Sequence, residues 1–228
     1  MVPFSRELPP IPSEALGRPL VFYGQTSLVL AAHASPHRRG VFFDPESFRP
    51  SVYLERLGGL MLNDDASPTT IAGLAASPRA DDDRVFVRPD DDLKGFSGQV
   101  MTMAELRAWR ETIGEHADGD VAAGTRIVVA APKEIGREYR AVVAGGRIAS
   151  LDAADGRGTV PAAATRLVED AVARWAPAPA FALDVAEAES GLKVIELNCF
   201  NASGLYAEDA TEIVRAVSRV AASVGEGQ

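Results

Sequence analysis

Short apolar runs bounded by glycine and proline alternate with stretches of helical periodicity, which predicts an α/β or α+β fold rather than a helical bundle or a β-sandwich. Two further observations agree. The 228 residues are 46% hydrophobic and 24% charged, an ordinary globular composition with material for a core. At about 150 residues per domain, that length suits one domain or two small ones.

Strands are expected at residues 20–24, 41–43, 84–88, 126–131, 138–144, 147–151, 181–186 and 192–198, with helices between them. Thr102-Met103-Ala104-Glu105 has the form of a capping box and opens a helix through Trp109. Leu167, Val168, Ala171, Val172 and Trp175 make one apolar face after Pro161, and Ile213, Val214, Val217 and Val220 repeat the spacing in a C-terminal helix. Ser77-Pro78 joins a helix-stopping proline to the charge run Asp81 to Asp83, which places a boundary between two lobes near residue 80.

Lys+Arg 23 against Asp+Glu 32 gives a net charge of −9, which argues against a nucleic-acid backbone or an anionic membrane as the main partner. Small molecules or proteins are the expected partners. Cys199 is the single cysteine, so an internal disulfide and a cysteine-cluster zinc site are excluded. The N-terminal stretch mixes charged residues with prolines and has no apolar run, so neither a signal peptide nor a membrane anchor is expected, and the reading is cytoplasmic. His33 and His37 have metal-pair spacing, but Pro36 lies between them and no third ligand is evident, so they read as ordinary loop or helix-end residues. The runs Asp81 to Asp83 and Asp90 to Asp92 cannot converge on one ion and read as solvated loops.

The chemistry concentrates near the C-terminus. Phe181, Leu183 and Val185 share one strand face with Asp184 on the other, and Glu196 and Asn198 share one face of the next strand, opposite Ile195 and Leu197. If Glu189-Ser190-Gly191 is the hairpin loop, Ala188 pairs with Leu192, Asp184 faces Glu196 and Ala182 faces Asn198. Two carboxylates so placed repel, and a hard cation such as Mg²⁺ relieves them. The alternative is an exposed polar sheet face with a chance pair of acids, and a four-residue turn would separate them.

A second group precedes it. Residues 84–88 read as a buried strand ending in Arg88, and Asp90 to Gly98 follow as a glycine-containing loop with Lys94, one of three lysines against twenty arginines. Gly95 and Gly98 allow backbone N–H groups to approach phosphate, with Lys94 and Arg88 supplying charge. In isolation a mobile surface turn explains the same residues, since no GxxxxGK[ST] pattern is present. Residues 126–131 run into a linker with Lys133, and Gly136-Arg137-Glu138-Tyr139-Arg140 opens a hairpin that turns at Gly145-Gly146. Glu138 and Arg140 share a strand face, as an ordinary surface ion pair or as partners for a ribose hydroxyl and a phosphate.

In order, strand-Arg88, Lys94 in a glycine loop, a strand into a linker, Gly136-Arg137-Glu138-Tyr139-Arg140, Asp184 and Glu196-Leu197-Asn198 resemble the ATP-grasp superfamily, in the clade whose nucleotide site uses two arginines and a lysine. The resemblance covers roughly residues 84–215. It implies an α+β ATP-grasp fold, two α+β subdomains gripping ATP over residues 81–228, behind a shortened α/β N-terminal domain over 1–80. It also implies that Asp184, Glu196 and Asn198 hold Mg²⁺ on ATP and that Arg88 and Lys94 contact the phosphates under a loop containing Gly95, Ser97 and Gly98. Val129, Ala130, Ala131 and Lys133 would lie against adenine, Glu138 would bind ribose, and Arg140 would stabilise the transferred phosphoryl group. Arg88 stands where many members carry lysine. The implied activity is ATP-dependent carboxylate–amine ligation through an acyl phosphate, with ADP and phosphate released and small-molecule or peptide acids and amines as substrates. That chemistry needs no dedicated nucleophile, and Cys199 reads as a packing residue. A non-catalytic nucleotide-binding module and a phosphotransferase using the same site are the alternatives.

Overall fold

Two four-stranded antiparallel sheets form the frame of the chain, which a computed structural model describes over residues 8–93, 95–113, 121–205 and 210–225. The first sheet contains β1 (Ser67–Thr70), β2 (Arg84–Pro89), β3 (Gln99–Thr102) and β4 (Arg126–Ala130), in the order β1-β4-β2-β3. The second contains β5 (Ile135–Ala144), β6 (Arg147–Ala153), β7 (Ala180–Ala188) and β8 (Gly191–Cys199), in the order β6-β5-β7-β8. The helices are α1 (Thr26–His33), α2 (Pro50–Leu57), α3 (Ile71–Ala75), α4 (Met103–Ile113), α5 (Ala162–Arg174) and α6 (Ala210–Gly225). The architecture is the expected mixed α+β fold. No helix among the described residues is long and apolar enough to cross a membrane.

Residue pattern explains the layers. Tyr139, Ala141 and Val143 of β5, with Phe181, Leu183 and Val185 of β7, turn one face of the second sheet into a core shared with α2, α5 and the segment around Phe22 and Phe43. The opposite face is divided. At one end Val142, Ala144 and Ala180 bury against Ile213, Val217 and Val220 of α6 and against Phe42 and Phe200, and at the other it carries the polar groups described below. The first sheet packs Val85, Val87, Ile127 and Val129 on Ile71 and Leu74 of α3 and Met103 and Leu106 of α4.

Helix α4 starts on the expected capping box: the Thr102 N–H donates to Glu105 Oε2 at 2.7 Å, and the Glu105 N–H donates to Thr102 Oγ1 at 3.2 Å. The β5–β6 hairpin turns at Gly145 and Gly146, with φ of +59° and +74°, values that favour glycine.

Several expectations need correction. Residues 20–24 and 41–43 are extended but are not strands. Asn201 bridges the two segments: its Nδ2 donates to the carbonyls of Phe22 (2.5 Å) and Gly40 (2.9 Å) and its Oδ1 accepts from the Phe42 N–H at 2.7 Å. The Phe22 N–H also donates to the Gly40 carbonyl at 3.0 Å and the Gly24 N–H to the Asn201 carbonyl at 2.9 Å, so side-chain and isolated backbone bonds stand in for a ladder. Strands β1 and β3 were not expected from the sequence; β1 is short and contains Pro68, a residue confined to sheet edges and ends, and it is indeed an edge strand. Strand β1 and helix α3, both before residue 80, share a layer with β2 and β4, which follow it.

Candidate functional site

The β7–β8 hairpin sets the site. Its turn is two residues, Glu189-Ser190, not three, so Ala188 pairs with Gly191 rather than Leu192. A bulge at Ile195 inserts one residue between Val194, opposite Val185, and Glu196, opposite Asp184. The bulge cancels the shortened turn, and the expected juxtapositions of Asp184 with Glu196 and Ala182 with Asn198 are present. On the other side of β7, Asp184 faces Arg140 of β5, and Arg140 faces Asp152 of β6. One row across the sheet therefore reads Asp152, Arg140, Asp184, Glu196.

These side chains touch. Arg140 makes a two-pronged bond to Asp184, from Nε to Oδ1 and from Nη2 to Oδ2, each at 2.6 Å, and its Nη1 donates to the Gly204 carbonyl at 3.0 Å. Arg88 reaches across from the first sheet. Its Nη2 donates to Glu196 Oε2 at 2.9 Å and its Nη1 to the carbonyl of the bulged Ile195 at 3.4 Å. Asn198 Nδ2 donates to Glu196 Oε1 at 2.7 Å and to Asp184 Oδ2 at 3.3 Å. Arg140, Asp184 and Asn198 are buried.

Burial drives the Asp184 carboxyl up to about 7 against the lowering pull of Arg140, and the Glu196 charge adds to the rise. Burial also acts to raise Glu196, but Arg88 and the Asn198 amide outweigh it and hold that carboxyl below its usual range. The donor set is two carboxylates and an amide oxygen on neighbouring strands, all hard oxygen ligands, and it fits Mg²⁺. Among the described residues, no group of three or more His, Cys, Asp and Glu side chains gathers to offer a different metal site.

The other sequence candidates lie around this cluster. Gly98 packs where a Cβ would stand 2.9 Å from the Phe86 ring and 3.4 Å from Arg88 Cβ, so its small size admits the loop over Arg88. Gly95 and Ser97 are exposed, and Lys94 lies outside the described residues. The loop root is not the solvated acidic run expected. Asp90 is buried, accepting from the Ser51 N–H (2.8 Å), Ser51 Oγ (2.9 Å) and Arg49 Nη2 (2.9 Å), and pairing with Arg126 at 3.1 Å. Asp92 Oδ2 accepts from the Cys199 N–H at 2.8 Å, tying the first sheet to the end of β8.

Val129 and Ala130 are buried at the end of β4, and the linker beyond them is fixed by Asp65, which accepts from the Ala131 N–H at 2.9 Å and pairs with Lys133. Lys133 also donates to Asn63 Oδ1 at 3.3 Å. Glu138 is exposed on the face that carries Arg140, but Arg140 pairs with Asp184 instead of with it.

Sequence reasoning missed Asn201, Asp90 as an anchor, and Tyr53, whose ring lies 6.0 Å from the Arg88 guanidinium carbon. Asn201 carried a signal, a polar residue inside the apolar run Cys199-Phe200-Asn201-Ala202. Tyr53 is far from the motifs in sequence and gave none.

A family profile described as an ATP-grasp domain, family 3 of the clade with two arginines and a lysine, matches residues 27–217. Among solved structures, the chain resembles a RimK-domain ATP-grasp protein from Sphaerobacter thermophilus at TM-score 0.55 and 16% identity, over 77% of this chain and 67% of that one. It also resembles the D-alanine–D-alanine ligase of Bacillus anthracis complexed with ATP, at TM-score 0.53 and 14% identity, over 94% of this chain and 73% of that one. The corresponding ligase of Coxiella burnetii is similar at TM-score 0.53 and 11% identity, over 78% and 59%. Identities this low establish the fold alone. No sequence among curated proteins matches the chain.

Proposed function

The chain belongs to the ATP-grasp superfamily, in family 3 of the clade with two arginines and a lysine, and from that membership we propose that it is an ATP-dependent carboxylate–amine ligase working through an acyl phosphate. The observation that carries the reading is the contact cluster of Arg88, Arg140, Asp184, Glu196 and Asn198, which brings two phosphate-type cations and three oxygen donors together on facing sheets. Asp184, Glu196 and Asn198 would hold Mg²⁺, which supplies charge neutralisation to the triphosphate. Arg88 and Arg140, freed from their carboxylate partners by that exchange, stabilise the negative charge that develops on the transferred phosphoryl group.

A substrate carboxylate oxygen forms a bond to the γ-phosphorus as the bond to ADP breaks. An amine then forms the C–N bond, phosphate leaves with one former carboxylate oxygen, and the amine proton passes to solvent. Closure of a loop over the bound phosphates would exclude the water that hydrolyses an acyl phosphate. The substrates are small-molecule or peptide acids and amines.

The test combines Mg²⁺, ATP and panels of acids and amines, with the acid carboxyl labelled by ¹⁸O. The reading requires ADP, and phosphate carrying one label. AMP with pyrophosphate would overturn it, as would ATP binding with no turnover over the panel. A phosphorylated acid that accumulates and is not consumed by amine would identify a phosphotransferase.

A further inference from the structure

Among the described residues, three buried side-chain polar atoms have no hydrogen-bond partner: Ser77 Oγ, Tyr53 Oη and Arg88 Nε. The last two belong together. Tyr53 projects from α2 and is 1% exposed, Arg88 lies near the end of β2, and the guanidinium stands over the tyrosine ring. Both line one small cavity of about 10 Å³, with Asn63 as its third polar wall and Leu54, Ala66 and Phe86 among the apolar ones.

Leaving a hydroxyl and a guanidinium N–H dry costs free energy comparable to a lost hydrogen bond for each. The cavity has the volume of about one water probe, and three polar walls meet the requirement of two to four partners that a buried water needs. We propose that a single buried water occupies this cavity, accepting from Arg88 Nε and bonding to Tyr53 Oη, and that Tyr53 is thereby a positioning residue for the phosphate-binding arginine.

This assignment rests on the ligase reading for its consequence. Glu196 and the Ile195 carbonyl already hold two corners of the Arg88 fork, and a bond at Nε fixes the third and hence the plane of the guanidinium. The plane decides whether the fork meets phosphate oxygens squarely. Asn63 extends the link, since its Oδ1 accepts from Lys133 in the segment after β4. The arginine and that segment would then be held in register through one water.

Tyr53→Phe removes the hydroxyl and keeps the ring over Arg88. Its effect on stability has opposite signs in the two situations: an unsatisfied hydroxyl makes the variant melt higher than the wild type, whereas a bridged one makes it melt lower. The expected results are a lower melting temperature, a dissociation constant for Mg·ATP raised about three- to tenfold, the effect of one hydrogen bond, and water density in the cavity of a high-resolution wild-type crystal structure. A higher melting temperature, an empty cavity, or unchanged affinity for Mg·ATP would each overturn the assignment. The density and the melting shift are read without nucleotide, so failure of the wild type to bind Mg·ATP overturns the ligase reading alone. If Tyr53→Phe does not fold, the wild-type density decides.

Discussion

Arg140 and Glu196 occupy the same cluster, yet substitutions at the two should fail in different ways. Arg140 is buried and spans both oxygens of a buried carboxylate, so Arg140→Ala leaves Asp184 without its cation in a place water does not reach. Breaking a pair of this kind costs about 3–5 kcal/mol, and the urea midpoint of Arg140→Ala should fall accordingly. The side chain of Glu196 is 29% exposed, and glutamine can still accept from Arg88. Glu196→Gln should therefore keep its unfolding free energy within about 1 kcal/mol of the wild type while losing Mg²⁺-dependent turnover; full activity in this variant would move the metal elsewhere. The residues of the cluster were legible because strand alternation puts acids opposite an apolar face. Tyr53 was not, because its meeting with Arg88 joins α2 to the end of β2 through tertiary structure, which no local period encodes.

At the scale of the element, the β7–β8 register shows how a reading of alternation can be right at the site and wrong at the turn. Alternation fixes faces but not the number of residues in a turn, and the two-residue turn is offset by the bulge at Ile195. The strands expected at residues 20–24 and 41–43 were misread because an apolar run cannot report that Asn201, far away in sequence, will bridge the Phe22 carbonyl and the Phe42 N–H. The loop root was misread for a related reason: adjacent aspartates look mutually repulsive until Arg49, Arg126 and the Ser51 N–H arrive from other segments. Asp90→Ala should cost about 3 kcal/mol, visible as a lower urea midpoint, because it strands those donors.

The capping box of α4 gives a pH test. Bonds from the Thr102 N–H and hydroxyl hold Glu105 below its usual pKa in the folded chain. Its contribution is thus present above the unfolded value of about 4.3 and is lost as pH falls through the folded one. The difference in melting temperature between wild type and Glu105→Gln should be widest near neutrality and close in acid. A gap that stays constant with pH would show that the charge contributes nothing.

For the whole molecule, the two sheets meet where Arg88 of the first reaches Glu196 of the second and where Asp92 holds the Cys199 N–H. The cluster as it stands is neutralised from within, each arginine on a carboxylate. On the proposed reading, nucleotide and metal enter as an exchange in which the triphosphate takes the arginines and Mg²⁺ takes the carboxylates. The direct measurement is calorimetric titration of ATP into the wild type with Mg²⁺, with EDTA in its place, and into Glu196→Gln with Mg²⁺. Binding that is strong in the first and at least about tenfold weaker, roughly 1.4 kcal/mol, in the other two is the result this site requires. Equal affinity in all three, or no binding of Mg·ATP to the wild type, would contradict it.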